Sequence, residues 1–140
     1  MAPITLHYDV SGDDFSGAGE AASSVKRTLK KLGFSPEIIR RVTIAMYEAE
    51  INMVVHAHGG TIDATITPDE ITVVFVDDGP GIPDVSLAMR EGWSTATPEV
   101  RELGFGAGMG LPNIKKYTDD LQIKTEVGVG TTVTMKVLTH

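Results

Sequence analysis

The stretch Glu70-Ile71-Thr72-Val73-Val74-Phe75-Val76-Asp77-Asp78-Gly79-Pro80-Gly81 decides the fold. Its apolar run, Val73 to Val76, is typical of a strand covered on at least one face, and the glycines and proline that follow stop the strand just after an acid. Upstream, Thr61 to Thr67 reads as a second strand. The Pro68-Asp69 turn between the two is tight enough to make them antiparallel. Downstream, Leu121 to Val127 and Thr131 to Leu138 form a closing hairpin across Gly128-Val129-Gly130. A further strand, Ile4 to Val10, opens the chain and ends in the turn Ser11-Gly12-Asp13-Asp14.

Between these strands the period changes from two to that of a helix. Phe15 to Leu32 is predicted as a helix, with Arg27, Lys30 and Lys31 sharing a solvent face and Gly33 as its C-terminal stop. Ser35 is an N-cap and Pro36 a first helical residue for the next helix. There Ile38, Val42, Ala45, Ala49, Asn52 and His56 recur at steps of four and three, and Gly59-Gly60 ends the helix. After the glycine loop, Val85 to Arg90 reads as a short helix and Trp93 to Phe105 as a long polar segment of the kind that forms lids. Leu111 to Tyr117 is predicted as a helix with Pro112 in its first turn. The order β-α-α-β-β-α-α-β-β predicts an α+β fold: a two-layer sandwich with a mixed, mostly antiparallel sheet and helices on one face.

Composition narrows the chemistry. The 140 residues form a single expected domain, 1–140, long enough to bury a core. Cysteine is absent, which excludes disulfides, thiolate nucleophiles and cysteine zinc sites. His7, His56, His58 and His140 show no zinc spacing. The formal charge of −7, from 19 acids against 12 bases, argues against a broad nucleic-acid or anionic-membrane surface, so neither is an expected partner. No basic leader and no apolar stretch of about 20 residues is visible, and the expectation is a cytoplasmic protein.

Three blocks carry chemistry. Glu48 and Asn52 are one helical turn apart on one stripe. Asn52 offers an amide oxygen suited to Mg²⁺, and Glu48 a carboxylate able to polarise a water or hydroxyl beside a phosphate. Taken alone, the pair also fits an ordinary surface. Asp77 can accept a hydrogen bond from an exocyclic amino group such as that of adenine, while Gly79 and Gly81 let backbone approach the ring. Gly104, Gly106, Gly108 and Gly110 alternate just before a helix, where free amides and the helix dipole favour an anion. Neither a dinucleotide fingerprint nor a Gly-Lys-Ser/Thr phosphate loop occurs. In this order the blocks point to ATP.

Glu48-x-x-x-Asn52, Asp77-x-Gly79-x-Gly81, Gly106-x-Gly108-x-Gly110 and Gly130-Thr131-Thr132, spread over roughly Ile4 to Leu138, resemble the N, G1, G2 and final boxes of the GHKL ATPase superfamily. With no phosphoacceptor-histidine helix pair, transducer domain or sensor in evidence, the chain is similar in particular to the small stand-alone anti-sigma factor serine/threonine kinases. The resemblance implies a Bergerat-type ATP-binding fold, with ATP and Mg²⁺ as cofactors. It implies Asn52 as the Mg²⁺ ligand, Glu48 as general base, and Asp77 as partner of the adenine amino group. Gly79, Gly81, Gly106, Gly108 and Gly110 would shape the nucleotide loops, and Thr131 would lie near the adenine end. Arg101, in the lid, is a candidate for charge stabilisation at the γ-phosphate, with a solvated arginine as the alternative.

The implied reaction is phosphorylation of a STAS-domain anti-sigma-factor antagonist or scaffold. Glu91 to Thr95 and the glycine stretch through Pro112 look closer to the switch-kinase branch, which activates a phosphatase, than to the branch that sequesters a sigma factor. A non-enzymatic nucleotide-binding switch remains the alternative, and the resemblance allows a homodimer.

Overall fold

The computed structural model of the chain describes residues 3–11, 19–56, 59–77, 110–126 and 130–139. In chain order the elements are β1 (Ile4–Ser11), α1 (Glu20–Lys31), α2 (Pro36–His56), β2 (Gly59–Ile66), β3 (Glu70–Asp77), α3 (Gly110–Tyr117), β4 (Asp120–Glu126) and β5 (Gly130–Leu138). The helix expected at Val85 to Arg90 and the segment Trp93 to Phe105 lie outside the described residues.

The strands form one sheet in the order β1-β2-β3-β5-β4, and every neighbouring pair is antiparallel. The β2–β3 turn falls at Pro68-Asp69, as its sequence predicts. The Thr67 hydroxyl oxygen accepts the amides of Asp69 and Glu70 at 3.3 and 3.1 Å, and the hydroxyl donates to the Glu70 carbonyl at 3.0 Å. The closing hairpin slots β5 between β3 and β4, so the last strand reaches the interior of the sheet.

Side-chain alternation sends Ile62, Ala64 and Ile66 of β2, Ile71, Val73 and Phe75 of β3, and Val133, Met135 and Val137 of β5 to one face. All are buried. The helices cover that face through Ala22, Val25 and Leu29 of α1, Val42, Ala45, Met46, Ala49 and Met53 of α2, and Ile114 of α3. Each large aliphatic side chain so buried contributes roughly 1.5–3 kcal/mol. The result is the expected two-layer α+β sandwich.

The helix ends follow local chemistry with one correction. Gly33 has φ +81, and the Gly33 and Phe34 amides bond back to the Lys30 and Leu29 carbonyls at 3.2 Å each, closing α1 in a Schellman turn. The Ser35 hydroxyl accepts the Ile38 amide at 3.3 Å and caps α2. Arg27, Lys30 and Lys31 are exposed. The helix expected from Phe15, however, begins at Glu20. Gly19 precedes it with φ +95, a left-handed conformation incompatible with a helix interior, and residues 15–18 lie outside the described residues.

Candidate functional site

Glu48 and Asn52 fall in α2, and the helical phase read from the sequence holds. Val42, Ala45 and Ala49 are buried along the seam in which position 52 comes next, and Met53 beside it is 3% exposed. Glu48 is half-buried. Two residues on, the carboxylate of Glu50 has a different task. It is 2% exposed and accepts the amides of Gly19 at 2.9 Å, Ala21 at 3.2 Å and Ala22 at 3.1 Å. An α-helix leaves its first amides unpaired, and Gly19 offers no side chain to take them. A Cβ at Gly19 would sit 2.9 Å from the Tyr47 ring, so the capping group comes from the neighbouring helix instead. Glu50 is therefore committed to α1. No local motif announced Glu50; its place next to the buried Ala49 and Ile51 was the only signal.

Asp77 is the last residue of β3 and continues the row Ile71, Val73, Phe75, so it lies on the helix-covered face at the point where the apolar row ends. It is half-buried. Opposite it stand Gly60 on β2 and Thr131 on β5, and opposite Thr131 stands Thr125 on β4. Thr131 is 7% exposed. Its hydroxyl bonds that of Thr125 at 2.9 Å, and Thr125 donates to the Gly130 carbonyl at 3.3 Å. A polar row therefore crosses three strands, β3, β5 and β4, at one end of a face that is otherwise apolar, with Gly60 of β2 beside it. Asp77 and Thr131, read from separate motifs, are direct neighbours in it. Thr125 is the member that the sequence reading missed, because cross-strand register alone places it there.

Close packing brings α2 to this row. A Cβ on Gly60, where φ is +155, would lie 2.0 Å from the Val76 carbonyl oxygen, 2.8 Å from the Met53 methyl and 2.9 Å from the Asp77 Cα. Met53 follows Asn52 directly, so the last turns of α2 and the end of β3 meet at one end of the sheet. The third helix is aimed by its opposite end. Arg41 of α2 donates to the Tyr117 carbonyl at 3.2 Å and pairs with Asp119 at 3.2 Å. That contact holds the C-terminus of α3 beside the start of α2, so α3 runs antiparallel to α2 and its N-terminus at Gly110 points toward the Asp77 end, where a helix dipole favours anions.

Gly79, Gly81, Gly106, Gly108 and Arg101 lie outside the described residues. Among the described residues, no group of three or more His, Asp or Glu side chains could hold a metal ion by itself. No described helix is long and apolar enough to cross a membrane.

Comparison with known proteins places the chain in a family. A family model described as a histidine kinase-like ATPase domain matches residues 16–137. The serine/threonine-protein kinase RsbT of Bacillus subtilis (strain 168) is 30% identical over 112 residues, covering 77% of this chain and 78% of that protein. An anti-sigma F factor of Caldanaerobacter subterraneus subsp. tengcongensis is 35% identical over 104 residues, covering 71% of this chain and 69% of its own. These relatives support the serine/threonine kinase reading. In fold, 98% of the chain matches the crystal structure of the RsbU and RsbW domains of Rv1364c from Mycobacterium tuberculosis, with a TM-score of 0.67 at 16% identity. This chain spans 33% of that longer one. The match over residues 16–137, most of the chain, shows that the chain belongs to the histidine kinase-like ATPase domain family.

Proposed function

We propose that this chain is a cytoplasmic, ATP- and Mg²⁺-dependent serine/threonine protein kinase of the anti-sigma factor type, acting on a STAS-domain antagonist or scaffold. The observation that carries the proposal is the polar row Asp77–Thr131–Thr125 at the end of the sheet where Met53, the residue after Asn52 in α2, packs against Gly60. The donor set fits the nucleotide. A half-buried carboxylate at the edge of an apolar face accepts an amino hydrogen of a planar base, and the Thr131 hydroxyl beside it adds a second polar contact.

Asp77 and Thr131 bind the adenine end. The backbone amides around Gly79, Gly81, Gly106, Gly108 and Gly110 hold phosphates, helped by the N-terminus of α3. Asn52 supplies the protein ligand for Mg²⁺, an ion that needs few protein ligands when phosphate oxygens complete its shell. Once bound, the ion neutralises charge on the phosphates. Glu48 takes the proton of the substrate hydroxyl as that oxygen forms its bond to phosphorus and ADP leaves, and Arg101 stabilises charge on the transferring group. The longer glycine stretch favours the switch branch, in which the partners are a scaffold and a phosphatase rather than a sequestered sigma factor.

Labelled ATP with Mg²⁺ and candidate STAS proteins tests this reading. Wild type transfers phosphate. Glu48→Ala keeps ATP binding and loses transfer by about 10²-fold or more, and Asn52→Ala loses both. If wild type binds ATP and transfers nothing to any candidate, the chain is a nucleotide-binding switch and not an enzyme. If it does not bind ATP, both readings fall.

A further inference from the structure

The chain is acidic as a whole, yet its bases are not spread evenly. Residues 26–41 hold Lys26, Arg27, Lys30, Lys31, Arg40 and Arg41 against a single acid, Glu37, which is half of the twelve bases in the protein. The α1–α2 connection folds this run around a groove of about 530 Å³. Phe34, Ile39 and Ile44 form its apolar floor, and Lys26, Lys30 and Arg40 stand exposed around it. No ion pair among the described residues involves these three cations. Arg40 lies 5.6 Å over the Tyr117 ring, a contact that orients the guanidinium without neutralising it. Lys26 and Lys30 are one helical turn apart, where like charges repel, so the arrangement is mildly unfavourable until an anion arrives. Arg40 and Asn52 are twelve residues apart on α2, about 18 Å along the helix axis. The groove is therefore separate from the nucleotide end.

We propose that this groove is a docking surface for an acidic amphipathic segment of a partner protein, with one or two apolar side chains seated on Phe34, Ile39 and Ile44 and flanking carboxylates paired with Lys26, Lys30 and Arg40. Charge complementarity selects that occupant. A second copy of this chain carries an excess of acids overall but also the same basic run, and a neutral apolar segment would leave three cations unpaired at the rim. Attraction across such a surface speeds association and rejects basic competitors. The inference does not depend on phosphoryl transfer.

The test uses a short fluorescein-labelled helical peptide with leucines on one face and glutamates along its flanks, together with its lysine counterpart. Fluorescence anisotropy shows binding of the acidic peptide that weakens with salt and no binding of the lysine peptide. Lys26→Glu combined with Lys30→Glu weakens binding at least about tenfold while leaving ATP binding unchanged and the fold intact, with a Tm lower by no more than a few degrees because both side chains are exposed and only Lys30 of the two lies in the last turn of α1. Amide shifts on titration map to Phe34, Ile39 and Ile44. Equal binding to the charge-reversed protein, shifts confined to other surfaces, or binding to phosphatidylglycerol vesicles but not to the peptide overturns the proposal. Charge-dependent self-association in sedimentation, with no peptide binding, would assign the surface to a second copy and likewise overturns it.

Discussion

Replacing Glu50 with alanine removes the group that closes the N-terminus of α1. Its two carboxylate oxygens accept three amides, those of Gly19, Ala21 and Ala22, in a setting only 2% exposed. Deleting an ordinary N-cap costs about 0.5–2 kcal/mol, and leaving a buried donor unsatisfied costs about 1–3 kcal/mol for each. Three donors cannot all bear the full cost, because water enters the vacated space. The expected loss is about 2–4 kcal/mol, above that of a single surface cap. Glu50→Gln keeps the shape and one carbonyl oxygen but turns an amino group toward the helix amides, so it should lose less, about 1–3 kcal/mol. Urea unfolding followed by circular dichroism should show a lower midpoint with an unchanged slope. At a few degrees per kcal/mol, Tm should fall by roughly 10 °C for the alanine variant. Hydrogen exchange should lose protection first at Ala21 and Ala22. A destabilisation below about 0.5 kcal/mol for Glu50→Ala would refute the idea that α1 is capped from α2.

Two further outcomes are expected. Gly60→Ala places a methyl group 2.0 Å from the Val76 carbonyl oxygen and 2.9 Å from the Asp77 Cα, contacts that only backbone displacement relieves. It should destabilise the fold by about 3 kcal/mol or more and weaken ATP binding by moving Asp77. A variant with wild-type Tm and affinity would show that the close approach of β2 and β3 does not matter. On the opposite face of the sheet, the His7 ring is held above its ordinary pKa of 6.5 first by its 2.6 Å hydrogen bond to Asp63, and less by Asp9 at 3.4 Å. A raised folded-state pKa means that this contribution to stability is complete below pH 6.5 and is lost as pH rises through the folded value. An NMR titration should place His7 above 6.5, and Asp63→Asn should lower it more than Asp9→Asn. A His7 value indifferent to Asp63→Asn would contradict the pairing.

Much of the fold was legible because its signals are local. The Ser35-Pro36 start of α2, the Gly33 stop of α1 and the Pro68-Asp69 turn each depend on a few consecutive residues, and all three appear where their chemistry puts them. The α1 start was misread because alanines and serines continue a helix-compatible pattern across Gly19. Only the Tyr47 ring and the Glu50 carboxylate, both from α2, explain why the chain turns there. For the candidate site, Ile38, Val42, Ala45 and Ala49 of the expected α2 seam are buried, and the strand-ending acid was found at Asp77. Arg101 and four of the glycines proposed to shape the nucleotide loops fall outside the described residues.

From the sequence alone came the order of elements, the two-layer class and the separate blocks that mark a nucleotide site, since periodicity and chain-stopping residues act over one or two turns. What only the tertiary structure decided is which of these residues meet. Register across β2, β3, β5 and β4 aligns Gly60, Asp77, Thr131 and Thr125 in one row, and helix packing assigns Glu50 to the cap of α1. Those outcomes rest on contacts between residues far apart in the chain. Their energies depend on packing and burial that no local pattern encodes.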